Sequence, residues 1–307
     1  MIAASGKGYL LMTFKGILKS VAKAFLYFAV YFGWQIVVVY WAYIAATFMT
    51  VPGLDVSDPS MIDFNALTSE ILTKSTDFIM KYSLHLTLVA GILAVATDFI
   101  ITKARRRSFF TELSIKKFSL SSLPILILLG ASLNIFVSLV LNMIPFPQEW
   151  IDSYTESSQA IVGGGTLISW FVTVISAPIV EEITFRGFMY SRLKQGMPMF
   201  AAMIVSSWVF GLVHGEIIWV IYASLLGMLL TWVAEKHGSL AASMVVHISF
   251  NLFGMLSSYV NELSTAVFWL SLISSGLAAA AAVMYINRSS ERRIEFSFKK
   301  DTSDVSK

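Results

Sequence analysis

The sequence predicts an all-α, polytopic membrane helix bundle of roughly eight transmembrane helices, and three observations carry that expectation. Of 307 residues, 56% are hydrophobic and 13% are charged, against about 25% charge in an ordinary soluble domain. The apolar residues gather into runs of about 20, the length that crosses the hydrocarbon core of a bilayer. Threaded through a membrane, those runs leave the basic residues on one side.

The runs lie near 20–49, 79–102, 120–144, 165–190, 199–214, 216–234, 239–260 and 265–286. The first is too long for the apolar core of a signal peptide, so no cleavable signal is expected. The fifth is short, and His214-Gly215-Glu216 leaves almost no loop before the sixth. With segment 1–19 in the cytoplasm, every Lys and Arg except Lys74 and Lys81 falls on or beside the cytoplasmic side. The outer loops instead carry Asp55, Asp58, Asp63, Glu70, Asp77, Glu149, Asp152, Glu156 and Glu262. This bias obeys the positive-inside rule. It makes 20–286 the bundle and leaves the tail 287–307 in the cytoplasm with the N-terminal segment.

The connections are less telling. Arg105-Arg106-Arg107-Ser-Phe109-Phe110, with Lys116-Lys117-Phe118, reads either as a topogenic loop or as a segment lying on the anionic inner leaflet. The outer loop 51–78 is acidic and expected to be partly helical. Gly163-Gly164-Gly165 reads as a flexible entry to the fourth run, and the charged tail as disordered at its end. Cysteine is absent, so disulfide and thiolate chemistry are excluded. There is no internal repeat and no soluble second domain, and nothing suggests a nucleic-acid partner. The lipid bilayer is the expected surroundings, and a multi-pass place in a bacterial inner (plasma) membrane is the expected location.

One stretch stands apart, Pro178-Ile-Val-Glu181-Glu182-Ile-Thr-Phe-Arg186. No charge precedes it between Gly165 and Val180. Ionisable residues at membrane depth cost roughly 2.5–3.5 kcal/mol on insertion scales and are functional by default. Glu182 and Arg186 are four apart and share a helix face, which predicts a pair. Glu181 is turned by about 100° and is expected to be the free carboxylate. Pro178 lacks an N–H, so a kink and an orphaned carbonyl at Val174 are expected just before the acids. The bland alternative is that both acids merely neutralise Arg186.

Two further stretches weigh against that alternative. Phe210-Gly-Leu-Val-His214 ends the fifth run and His247-Ile-Ser-Phe-Asn251 lies in the seventh. Each pairs its polar residue with a partner one helical turn away. Only four histidines exist; His85 and His237 lie near span ends and read as packing residues, while Glu216 reads as interfacial. A carboxylate beside an imidazole can orient and deprotonate a water. An imidazole and a carboxamide can stabilise the oxyanion formed when that water attacks an amide carbonyl. With no Cys and no Ser in a strained elbow, a covalent route is weak. Two histidines and a glutamate could also take zinc, through Glu181, His214 and His247. However, a His-Glu-x-x-His helix is absent, and no cofactor is required.

At these residues the chain resembles the CPBP family of intramembrane proteases, the type II CAAX prenyl endopeptidases and their bacteriocin-processing and self-immunity relatives. The family pattern is Glu-Glu-x-x-x-Arg, Phe-x-x-x-His and His-x-x-x-Asn, met here at Glu181-Glu182-Ile-Thr-Phe-Arg186, Phe210-Gly-Leu-Val-His214 and His247-Ile-Ser-Phe-Asn251. The resemblance covers about 165–255. It implies that Glu181 is the general base, that His214 holds the catalytic water, and that His247 and Asn251 stabilise the oxyanion. Glu182, Arg186 and Phe210 would support them. The expected function is that of an intramembrane endopeptidase acting near the cytoplasmic side on a peptide or membrane-protein substrate. The alternative is a non-catalytic scaffold or an immunity or regulatory protein that binds another membrane enzyme. A proton-coupled transporter would need repeated halves or opposed broken helices, which the sequence lacks.

Overall fold

The computed structural model describes residues 14–50, 64–116, 118–162, 166–258 and 263–304, and among them there are helices and short connections but no strand. In order they are α1 (Phe14–Thr50), α2 (Phe64–Ala104), the single turn α3 (Phe109–Glu112), α4 (Leu123–Leu141), α5 (Gln148–Val162), α6 (Leu167–Leu193), α7 (Met199–Leu212), α8 (Ile217–His237), α9 (Leu240–Ser257) and α10 (Thr265–Asp304). Seven of them are long and apolar enough to cross a membrane. The fifth expected span is α7, an apolar helix of only 14 residues. At about 1.5 Å per residue it covers about two thirds of a bilayer core. Its end therefore stays at membrane depth, where Gly215, at φ 80°, turns the chain straight into α8.

Several connections differ from expectation. The stretch 64–78 is a helical extension of α2, while 51–63 lies outside the described residues, as do Gly163-Gly164-Gly165. The connection after α4 contains α5, whose apolar and polar residues segregate to opposite faces. α10 runs on to Asp304, past the point where the sequence reading placed a disordered end; no Pro or Gly interrupts the chain after Gly276, so nothing stops the helix.

The helices pack in pairs, α1 with α2, α4 with α9 and α10, and α7 with α8, around α6. One apolar core joins α4, α8, α9 and α10 through Leu126, Leu226, Val246 and Ala282. A second joins α1, α6, α7 and α8 through Ala24, Phe185, Phe210 and Ala223. A third closes the basic end, where Tyr27, Phe109, Leu113, Ile183, Phe188 and Leu240 are buried together. There the Tyr27 and Phe188 rings stack 4.3 Å apart.

The arginine-phenylalanine loop thus packs onto the bundle instead of only lying on a leaflet: Phe109 is buried while Phe110 is exposed. Glu112 pairs with Arg192 of α6 and, at 2.6 Å, with Arg107. Partial burial pushes the Glu112 carboxyl up, but hydrogen bonds from Arg192 and Arg107 outweigh it and hold the group below its ordinary value. The Ser114 carbonyl accepts from the Leu240 N–H at 3.2 Å, tying this loop to the start of α9.

Candidate active site

α6 is not a uniform α-helix. Phe171–Ser176 and Glu182–Tyr190 are wound wider, in the pattern where an N–H reaches back five residues, a form frequent at functional sites. The local cause at the first stretch is legible. The Ala177 N–H donates to the Val172 carbonyl, five residues back. The next donor in that pattern would be Pro178 to Thr173, and proline has none. The carbonyl left over is therefore that of Thr173, not the Val174 carbonyl that ordinary α-winding predicts. Asn251 Nδ2 donates to it at 2.8 Å. A carboxamide expected only at the chemistry also caps a defect in the helix that carries it.

The two adjacent acids separate as their helical positions require. The Glu182 side chain is 0% exposed and that of Arg186 is 2% exposed, with Glu182 Oε1 at 3.1 Å from Arg186 Nη1. The same oxygen accepts from His247 Nδ1 at 3.0 Å. Glu181 faces the other way, into a cavity, with its side chain 16% exposed. Its Oε2 lies 3.6 Å from His247 Nε2. His247 is thus held between the two acids, one fixing it and one beside it in the cavity.

Phe210 links the remaining pieces. The Arg186 guanidinium sits 4.1 Å from the centre of its ring, and the ring meets His214 edge-on at 4.8 Å and His247 at 5.9 Å. His214 Nδ1 is 2.8 Å from the Phe210 carbonyl. A carbonyl can only accept, so Nδ1 carries the proton and Nε2 keeps its lone pair in the neutral ring. Glu181, His214, His247, Asn251 and Phe210 all line one cavity of about 560 Å³. Glu182 and Arg186 lie behind its wall. His85 is exposed and His237 Nδ1 is 3.1 Å from the Val233 carbonyl; neither lines the cavity. Glu216 is half-buried, accepting hydrogen bonds from Ser153 at 2.5 Å and Ser157 at 3.0 Å.

Glu181, His214 and His247 do not form one coordination sphere. Among the described residues no three His, Cys, Asp or Glu side chains are grouped so that they could hold a metal ion.

Some residues of the site gave no sign in the sequence. Tyr31 of α1, Asn134 of α4 and Tyr222 of α8 line the cavity, but each sits in an unremarkable apolar run. Gly227 makes room for the ion pair: a Cβ there would lie 3.1 Å from Arg186 Nη2, 3.1 Å from the Phe210 ring and 3.0 Å from Ser207 Cβ. Thr173 could have been found from Pro178, had a wider winding been considered.

Residues 163–253 match the family described as type II CAAX prenyl endopeptidase Rce1-like. That segment, about 30% of the chain, is similar to this family. The match begins and ends within about two residues of the segment marked out by the three motifs, and it holds every candidate catalytic side chain. The chain is also similar to the UPF0177 protein YxdF of Lactococcus lactis subsp. lactis (strain IL1403), 33% identical over 85 residues. That similarity covers 27% of this chain and 46% of the relative, less than half its length. No solved structure matches.

Proposed function

We propose that this multi-pass membrane protein is an intramembrane endopeptidase that hydrolyses a peptide bond with a water activated by Glu181. The observation that carries the reading is the division of labour between neighbouring acids, with Glu182 committed to Arg186 and His247 and Glu181 left facing the cavity beside His247. In the proposed reaction Glu181 takes a proton from the water, and the hydroxide adds to the carbonyl carbon of the scissile bond. His214 Nε2, unprotonated while Nδ1 donates to Phe210, accepts a hydrogen bond from that water. The oxyanion so formed is met by His247 Nε2, acting as a donor, and by the second N–H of Asn251. Collapse of the intermediate expels the amine, which takes back the proton held by Glu181. The Rce1-like segment supports a protease of this kind, and a bacterial plasma membrane is the proposed location.

The test compares peptide termini in membranes from cells carrying the wild type or Glu181→Ala at equal expression. New termini present only with the wild type are expected, and they would give the substrate class at once. Identical termini in both, with the variant still supporting the cell's phenotype, would replace the enzyme with a scaffold.

A further inference from the structure

We propose that the substrate reaches Glu181 from the extracytoplasmic side, beneath α5, and is therefore an exported or membrane-inserted polypeptide segment and not a cytosolic tail. This rests on the peptidase reading and reverses the cytoplasmic-side cleavage that the sequence suggested. Three observations carry it. First, every spanning helix that lines the cavity does so from its middle or from the half remote from the basic connections: Thr173 to Glu181 of α6, Trp219 to Leu226 of α8 and His247 to Ser258 on and after α9 are examples. The bias in Lys and Arg sets those connections in the cytoplasm. Second, the opposite end is shut. Phe109, Leu113, Phe188 and Tyr27 fill it, and Glu112 ties the loop bearing Phe109 to α6. A cytosolic chain would have to displace that core to reach Glu181.

Third, the remote end has a cover with its own fastening. α5 is amphipathic, contributes Tyr154, Ser158 and Ile161 to the cavity wall, and has its Tyr154 ring 5.8 Å from Trp219 of α8. Ser153 and Ser157, one turn apart, both donate to Glu216 at the start of α8. Tyr154 is largely buried, which pushes its hydroxyl above the usual phenol value. A helix held over a cavity by two hydroxyls and one carboxylate can lift without unfolding the bundle. Aromatic and apolar side chains beneath it suit an extended segment carrying large apolar residues.

The chain has no cysteine, so a single introduced thiol reports position cleanly. Ala177→Cys lies one turn before Glu181 and lines the cavity; Thr111→Cys lies exposed at the basic end. A membrane-impermeant methanethiosulfonate reagent is applied to right-side-out and to inside-out vesicles holding the full chain. Ala177→Cys is expected to react in right-side-out vesicles only, and Thr111→Cys in inside-out vesicles only. Adding Glu216→Ala should speed the reaction of Ala177→Cys, and an unchanged rate removes α5 as the cover. Reaction of Ala177→Cys from the cytoplasmic side, or from neither side, overturns the proposal, as does reaction of Thr111→Cys from outside. Ser257→Cys, on another wall of the cavity, serves if Ala177→Cys lowers the membrane level. The labelling reads access without turnover and is repeated with Glu181→Ala. Failure of the peptidase reading would show as unchanged termini, while failure of this proposal would show as a reversed labelling pattern.

Discussion

At the basic end of the bundle, Glu112 sits between Arg107 and Arg192 above a core of stacked aromatic rings. At the other end, a cavity of about 560 Å³ lies under an amphipathic helix held by two serines. One end is packed and the other is hollow, although the same helices build both. The border runs between two adjacent residues. Glu182 belongs to the packed side, fully buried with Arg186, and Glu181 to the hollow side. What separates them is only the turn of about 100° between neighbours on a helix. The carboxylate that faces the cavity stands on a rigid frame that keeps the second acid and the arginine dry and paired.

The largest expected effect breaks that frame. Glu182→Gln should leave Arg186 buried without its charge partner and lower stability by about 3–5 kcal/mol, as when one member of a buried pair is removed. Thermal denaturation of the purified protein in detergent should register it, together with a reduced membrane level. Glu181→Gln, one residue away, should lower stability by no more than about 1 kcal/mol, since the side chain faces the cavity and His247 keeps its hydrogen bond to Glu182. Equal losses in the two variants would erase the border drawn here.

Next comes a change that overfills the packed side. Gly227→Ala would place a Cβ against Arg186, Phe210 and Ser207 at once, and overpacking of this kind costs about 1–3 kcal/mol. Because Phe210 also meets His214 and His247, turnover should fall as well. An alanine variant with wild-type stability would mean that the arginine has more room than the structure gives it.

Asn251→Ala sharpens the comparison, because this residue lines the cavity and also caps the Thr173 carbonyl of α6, and the proposed reaction gives it a second role. Removing an oxyanion donor costs about 10²–10³ in rate, and leaving the Thr173 carbonyl unpaired costs about 1–3 kcal/mol in stability. Rate loss alone would confine Asn251 to the chemistry, and stability loss alone would make it only a cap on α6. The sequence reading anticipated the first cost and not the second. Its residues were legible because charge and imidazole are so rare in this chain that three spaced motifs stood out against the apolar runs. The helical bundle and the pairing of Glu182 with Arg186 followed from the length of the apolar runs and from a four-residue spacing. Two features did not. The wide winding of Glu182–Tyr190 has no proline or other local signal, and the plug at the basic end depends on which way Phe109 turns. Neither is written in local periodicity. Phe109 and Phe110 are identical neighbours, one buried and one exposed, and only the tertiary position of Tyr27 and Phe188 decides between them.

The smallest effect concerns the closure of the packed end. Arg192 and Arg107 hold the Glu112 carboxyl below its ordinary value against the opposing pull of partial burial. A folded-state value below the unfolded one means that this group stabilises the fold at neutral pH. That contribution begins to fade as pH falls below the unfolded value, about 4.3, and is gone once pH has dropped through the folded value. The loop lies near solvent, so the pair is worth no more than about 1 kcal/mol. Glu112→Gln should therefore lower the denaturation midpoint slightly at pH 7 and flatten its dependence on pH below 5. If the wild type and the variant lose stability in parallel on acidification, the Glu112 bridge is not what ties the loop to α6, and the buried Phe109 and Leu113 must hold that end by packing alone.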